Sequence, residues 1–198
     1  MMLGIKFQNA LNKVYSKEDP KTEIASIDVK HRKIAGELIK KAKPFDNIVS
    51  IDSEYIVDFG LGIPVKFVPD LLTENEIVEN KYTSGYYNEV MVKKQMQGTM
   101  YYWGIKKLFG KSLPVKYQIF NHRNKTVKIV ELKKTTQDLA KMMTWMMTTL
   151  WKIHDCYETG MWGTRQHGKW DCDLGKACPI KYPDKGLIYS PGDGIIEV

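Results

Sequence analysis

The spacing of apolar positions along the chain changes several times, and each change marks an element. Residues 26–42, SIDVKHRKIAGELIKKA, place Ile27, His31, Ile34 and Leu38 at i, i+4, i+7 and i+11. That spacing predicts a helix with an inward stripe, capped by Ser26 or Asp28 and stopped with the help of Pro44. Three strand-like runs follow: EYIVDF (54–59), IPVKFVPDLL (63–72) and EIVENKYT (76–83). The turns Gly60-Leu61-Gly62 and Thr73-Glu74-Asn75 would join them as a meander. NEVMVKKQMQGTMYYWGIKKLF (88–109) predicts a helix that tolerates Gly98 and stops at Gly110. VKYQIFN (115–121) and TVKIVEL (126–132) predict a hairpin around His122-Arg123-Asn124. A long helix over 135–154 carries Leu139, Met142, Met143, Met146, Leu150 and Ile153 on one face, so its methionine run reads as core rather than as a cofactor box. From Cys156 onward the chain is rich in Gly, Pro and Lys and has little periodicity. The fold class expected from this order is mixed α/β.

Length and composition narrow the picture modestly. At 198 residues with 43% hydrophobic positions the chain can bury one ample core. The expected organisation is a single domain over residues 1–155, with an N-terminal helical segment, and a cysteine-containing tail over 156–198 packed on it. No run approaches 18 apolar residues, and Lys and Gln interrupt the amino-terminal stretch MMLGIKFQNALNKVYSKED. A soluble, cytoplasmic protein with no membrane partner is the expectation. Thirty Lys and Arg against 23 Asp and Glu give a net charge of +7, which favours polyanionic partners without specifying one. The odd count of cysteines, Cys156, Cys172 and Cys178, argues against a disulfide framework and leaves metal ligation or plain thiols open.

The chemistry concentrates in FVPDLLTENEIVENK, residues 67–81. Glu79 and Lys81 stand at i and i+2 of a predicted strand and so share a face, and antiparallel pairing through the turn at 73–75 can bring Asp70 beside them. Carboxylates in such apolar runs are costly to bury unless something compensates them, and a divalent cation would. Two oxygen donors and one ammonium are what phosphodiester hydrolysis uses. The carboxylates hold Mg²⁺ or Mn²⁺, which activates water and polarises the phosphate, while the lysine stabilises developing charge. Read alone, the same residues also fit a solvated surface hairpin.

Pro69-Asp70, eight intervening residues, then Glu79-Asn80-Lys81 on consecutive strands after a helix resembles the PD-(D/E)XK nuclease superfamily. Within it the chain looks like the RecB-like exonuclease branch, which includes CRISPR-adaptation and phage recombination nucleases. The resemblance implies a restriction-endonuclease-like mixed β-sheet flanked by helices. It implies catalysis by Asp70, Glu79 and Lys81, with metal held by Asp70, Glu79 and the Asn80 carbonyl. It adds a metal-binding histidine on the upstream helix, matched by His31, and a Gln-x-x-x-Tyr motif matched by Gln97 and Tyr101, which would contact DNA or the site. Helical geometry supports His31 over Glu37, which lies about 120° round the helix, flanked by Lys33 and Lys41. A satisfied core histidine is the bland alternative for His31.

Tyr86, Tyr87, Tyr101, Tyr102 and Trp103, interspersed with Lys93, Lys94, Lys106 and Lys107, offer stacking surfaces beside cations, which suits DNA that is single-stranded or has free ends. Many members of the branch also carry a 4Fe-4S cluster. Cys172, Cys178-Pro179 and Cys156 match only part of that pattern, with no cysteine before His31, so the cluster is disfavoured. Zinc on Cys156, His167, Cys172 and Cys178 and unligated thiols remain open. The reading is thus a metal-dependent DNA nuclease, expected to act as an exonuclease, for which a homo-oligomer is compatible. A non-hydrolytic nucleic-acid-binding or assembly module on the same fold is the alternative.

Overall fold

Strands β5 (Ile77–Thr83) and β6 (Val115–Asn121) run parallel at the centre of a five-stranded sheet ordered β1-β4-β5-β6-β7. The computed structural model describes residues 2–85, 89–159, 187–190 and 194–197. The short strands β1 (Ile48–Ile51) and β4 (Leu71–Thr73) extend the sheet antiparallel on one side, and β7 (Thr126–Leu132) closes it antiparallel on the other. A parallel pair needs a crossover, and helices α4 (Glu89–Lys93) and α5 (Met96–Phe109) supply it. Before the sheet come α1 (Met2–Tyr15), α2 (Lys21–Ser26) and α3 (Val29–Lys40). Strands β2 (Tyr55–Asp58) and β3 (Pro64–Phe67) form a separate two-stranded sheet.

The two faces of the main sheet bury different cores. Phe7, Leu11 and Tyr15 of α1 and Ala35, Leu38 and Ile39 of α3 pack with Leu71, Val78 and Phe120 on one face. Tyr101 and Ile105 of α5 pack with Ile77, Val115, Tyr117, Ile119 and Phe67 on the other. Strand alternation explains the division, because Val78 and Ile77 must point opposite ways. Glycine permits α5 to lie close. A Cβ on Gly104 would stand 2.5 Å from the Phe67 ring, and one on Gly98 would stand 2.8 Å from a Leu132 methyl group.

By their contacts the residues divide into two units, Met1–Thr144 and Trp145–Val198. The first holds both cores; helix α6 (Thr136–Thr159) runs through the boundary, and the second also holds the hairpin of β8 (Leu187–Ser190) and β9 (Gly194–Glu197).

The mixed α/β class with a helix-flanked sheet is as expected, and β5, β6 and β7 match their predicted runs closely. Three features differ. The run 63–72 is two strands, because Pro69 has no N–H to offer a ladder and the chain turns there from one sheet into the other. The expected single meander is therefore a hairpin plus part of the main sheet. The predicted helix 88–109 is two helices broken at Lys94 and Gln95. Asp28 occupies the N-cap position of α3, but its side chain makes no capping bond there. No helix among the described residues is long and apolar enough to cross a membrane.

Candidate active site

Asp70 stands immediately before β4, and the antiparallel register Leu71↔Val78 carries it toward Glu79 on β5. One Asp70 carboxylate oxygen accepts the Asn80 backbone N–H at 2.5 Å. Glu79 is almost fully buried, at 4% exposure, and its Oε1 accepts a hydrogen bond from the Lys81 ammonium. Its Oε2 is also buried and has no hydrogen-bond partner among the described residues. Strand alternation puts Glu79 and Lys81 on the α5 side of the sheet.

Helix α5 completes that side. Gln97 and Tyr101 are one helical turn apart and act in series. The Lys81 ammonium donates to Gln97 Oε1 at 3.1 Å, and Gln97 Nε2 donates to the Tyr101 hydroxyl at 2.6 Å. Tyr101 in turn donates to the Val68 carbonyl at 2.8 Å, two residues before Asp70. The i, i+4 pair therefore links the lysine on β5 to the backbone that carries the aspartate.

The electrostatics follow from burial. Asp70 is held well above the ordinary carboxylate range, first by desolvation and then by the neighbouring Glu79 charge, against the opposing Asn80 hydrogen bond. Desolvation also raises Glu79, although Lys81, Tyr101 and Gln97 pull the other way. Two carboxylates that resist ionising side by side gain from a cation between them. A hard divalent ion such as Mg²⁺ or Mn²⁺ prefers such oxygen donors, and Glu79 Oε2, which makes no well-formed hydrogen bond although Tyr101 and Gln97 stand near the carboxylate, is an acceptor of the right kind. The residues present fit that group.

One acidic residue here carries no sequence signal. Asp52, just past β1, adopts a left-handed φ of 46°, which aspartate tolerates better than most residues. Its N–H donates to the Asp70 carbonyl at 3.1 Å, its carboxylate accepts a hydrogen bond from the Asn12 side chain on α1, and its charge helps raise Asp70. Burial raises Asp52 itself above the usual carboxylate range. Seventeen residues, among them a separate hairpin, lie between Asp52 and Asp70, so no local spacing joins them.

His31 is not brought to the carboxylates. Its ring meets the His122 ring at 5.7 Å between centroids, and His122 in turn stacks on Tyr82. Tyr82 packs with the α1–α3 core, on the face opposite Glu79 and Lys81. Among the described residues no three His, Cys, Asp or Glu side chains converge as a metal cluster. Glu37, the reserve acid, pairs with Lys125 at 3.5 Å at the surface. The Asn80 side chain also points to the α1 face, where it meets Tyr15. Cys156 lies in α6 with its side chain outside the described residues, and Cys172, Cys178, His167, Tyr86 and Tyr87 lie outside them altogether.

No family model matches the chain, and no curated protein matches it. Among solved structures it is similar to a Eubacterium rectale protein described as a "putative exonuclease", with a TM-score of 0.62 and 12% identity over 95% of this chain and 76% of that one. At that identity the likeness establishes a shared fold.

Proposed function

We propose that this chain is a metal-dependent DNA nuclease of the PD-(D/E)XK superfamily, RecB-like branch, hydrolysing phosphodiester bonds from DNA ends. The observation that carries the reading is the buried pair Asp70 and Glu79, with one carboxylate oxygen of Glu79 left without a partner beside the Lys81 ammonium. A solvated hairpin would expose these groups instead. The fold shared with the Eubacterium rectale protein, itself described as a "putative exonuclease", is consistent with this reading.

Asp70 and Glu79 would hold Mg²⁺ or Mn²⁺, with the backbone carbonyl of Asn80 as a further donor. Bound there, the ion would supply Lewis-acid polarisation of the scissile phosphate and lower the pKa of a water molecule. Lys81, aimed by Glu79 and Gln97, presents its ammonium to the charge that develops on the phosphate oxygens. Tyr101 fixes Gln97 and the Val68 carbonyl, and so sets the spacing between β5 and the segment bearing Asp70.

Digestion of end-labelled linear and closed circular DNA, single- and double-stranded, with and without Mn²⁺, tests the proposal. Metal-dependent loss of linear but not circular substrate is expected. Intact DNA under every condition would leave a non-hydrolytic binding module.

A further inference from the structure

Asn80 sits between Glu79 and Lys81 on β5 and is 8% exposed, yet its side chain faces away from them. On that opposite face three buried polar side chains are hydrogen-bonded to one another, and Asn80 Nδ2 is buried there with no hydrogen-bond partner among the described residues. The backbone N–H of Lys43 donates to Gln118 Oε1 at 2.6 Å, which fixes the orientation of the Gln118 amide. Its Nε2 must then face inward, where it donates to the Tyr15 hydroxyl at 2.8 Å and to Asn80 Oδ1 at 3.1 Å. With its lone pair engaged, the Tyr15 hydroxyl donates to the same Asn80 oxygen at 3.1 Å. Each link determines the direction of the next, from the loop after α3, through β6 and α1, to the centre of β5.

Such a set is expensive in a core, the more so because Asn80 Nδ2 is left unsatisfied. Apolar side chains at 15, 80 and 118 would fill this space without desolvating an amide. What they would not do is hold β5 at a fixed height against α1. Buried phenol and amide groups have directional bonds, and a strand that slides or rotates breaks them. The backbone unit being held is the one whose N–H reaches Asp70 at 2.5 Å.

We propose that Tyr15 and Gln118 are positioning residues for the candidate metal site. Through the Asn80 side chain they hold the Asn80 N–H on one Asp70 oxygen, which sets the carboxylate against Glu79 in the arrangement a cation requires. Neither residue touches metal or substrate. The inference rests on the nuclease reading for its purpose, though not for its geometry.

The test uses the full chain without DNA, comparing wild type with Tyr15→Phe, Gln118→Met, the double variant and Asn80→Ala. Mn²⁺ affinity is measured by calorimetry, and hydrogen exchange of the Asn80 backbone amide is measured by NMR relative to Val78 and Lys81, which lie in the ladders with β4 and β6. In the double variant Mn²⁺ affinity should fall by about tenfold, the usual scale for residues that orient metal ligands. The Asn80 amide should exchange faster while Val78 and Lys81 keep their protection. Asn80→Ala, which retains the N–H but loses the amide side chain, should show the same fall in affinity.

Folded variants with unchanged Mn²⁺ affinity and an unchanged Asn80 exchange ratio would overturn the proposal. So would a lower Tm accompanied by uniform exchange along β5, which is the signature of a merely structural role. Should the double variant not fold, Tyr15→Phe alone decides, since it keeps the ring and removes one hydroxyl. Should wild type bind no Mn²⁺, the metal reading fails. The exchange ratio then still decides whether Tyr15 and Gln118 hold the Asn80 N–H.

Discussion

Lys81 and Gln97 lie sixteen positions apart and meet at 3.1 Å, ammonium to amide oxygen, across the space between a central strand and the helix packed on it. Glu79 holds the same ammonium from within the strand. A lysine side chain left alone samples many rotamers, so two acceptors at fixed positions give it one direction. Gln97→Leu should therefore slow cleavage by up to about 100-fold through kcat, with KM little changed, because orientation is lost while substrate binding is kept. Steady-state kinetics on a labelled oligonucleotide would show it. A Gln97→Leu enzyme with wild-type kcat would remove the glutamine from the site.

Burial of two adjacent carboxylates gives stability a definite dependence on pH. Asp70 and Glu79 have folded-state pKa values raised above their unfolded ones, so the folded chain binds protons more readily than the unfolded chain. The metal-free protein should lose stability as pH rises from the unfolded carboxylate value of about 4 through the folded values. Asp70→Asn relieves the repulsion, and at pH 8 its Tm should exceed wild type by roughly 2–8 °C, on the scale of a 1–2 kcal/mol gain. Mn²⁺ should raise the wild-type Tm and leave that of Asp70→Asn unmoved. Calorimetric scans between pH 5 and 8 would read both, and a wild type that grows more stable with rising pH would contradict the assignment.

The two histidine-facing and carboxylate-facing sides of β5 separate in a binding experiment. Asp70→Ala should abolish Mn²⁺ binding and cleavage, whereas His31→Ala should leave Mn²⁺ affinity within about twofold, since His31 packs on His122 across the sheet. Titration of each variant with Mn²⁺ checks the ranking. Loss of affinity in His31→Ala would return that histidine to the metal.

Gly104 and Gly98 differ in what a methyl group would meet. At Gly104 it would strike the buried Phe67 ring at 2.5 Å, and Phe67 lies three residues before Asp70. At Gly98 it would meet the end of the Leu132 side chain at 2.8 Å and the buried Tyr117 ring less closely, at 3.3 Å, with its hydroxyl at 3.1 Å. Gly104→Ala should cost about 1–3 kcal/mol in urea unfolding, while Gly98→Ala should cost less, since the tip of a leucine moves easily and the Tyr117 ring stands farther off than Phe67 does from Gly104. Equal midpoints for both variants would count against close packing at Gly104.

Local pattern by itself determined a good part of this protein. The β-prone runs VKYQIFN and TVKIVEL, either side of His122-Arg123-Asn124, marked β6 and β7, and the i, i+2 spacing put Glu79 and Lys81 on one face before any partner was known. The i, i+4 spacing likewise put Gln97 and Tyr101 together. Periodicity carries such relations because they lie within one element. It marked an inward stripe on α3 but could not say which sheet face that helix covers, and His31 consequently lies across the sheet from Glu79. Tyr15, Asn80 and Gln118 are separated by 65 and 38 residues and meet only because α1 and β6 pack beside β5. Asp52 joins Asp70 across an intervening hairpin. Those relations are set by which layers stack and in what register, and a chain encodes that only through the burial its whole sequence achieves.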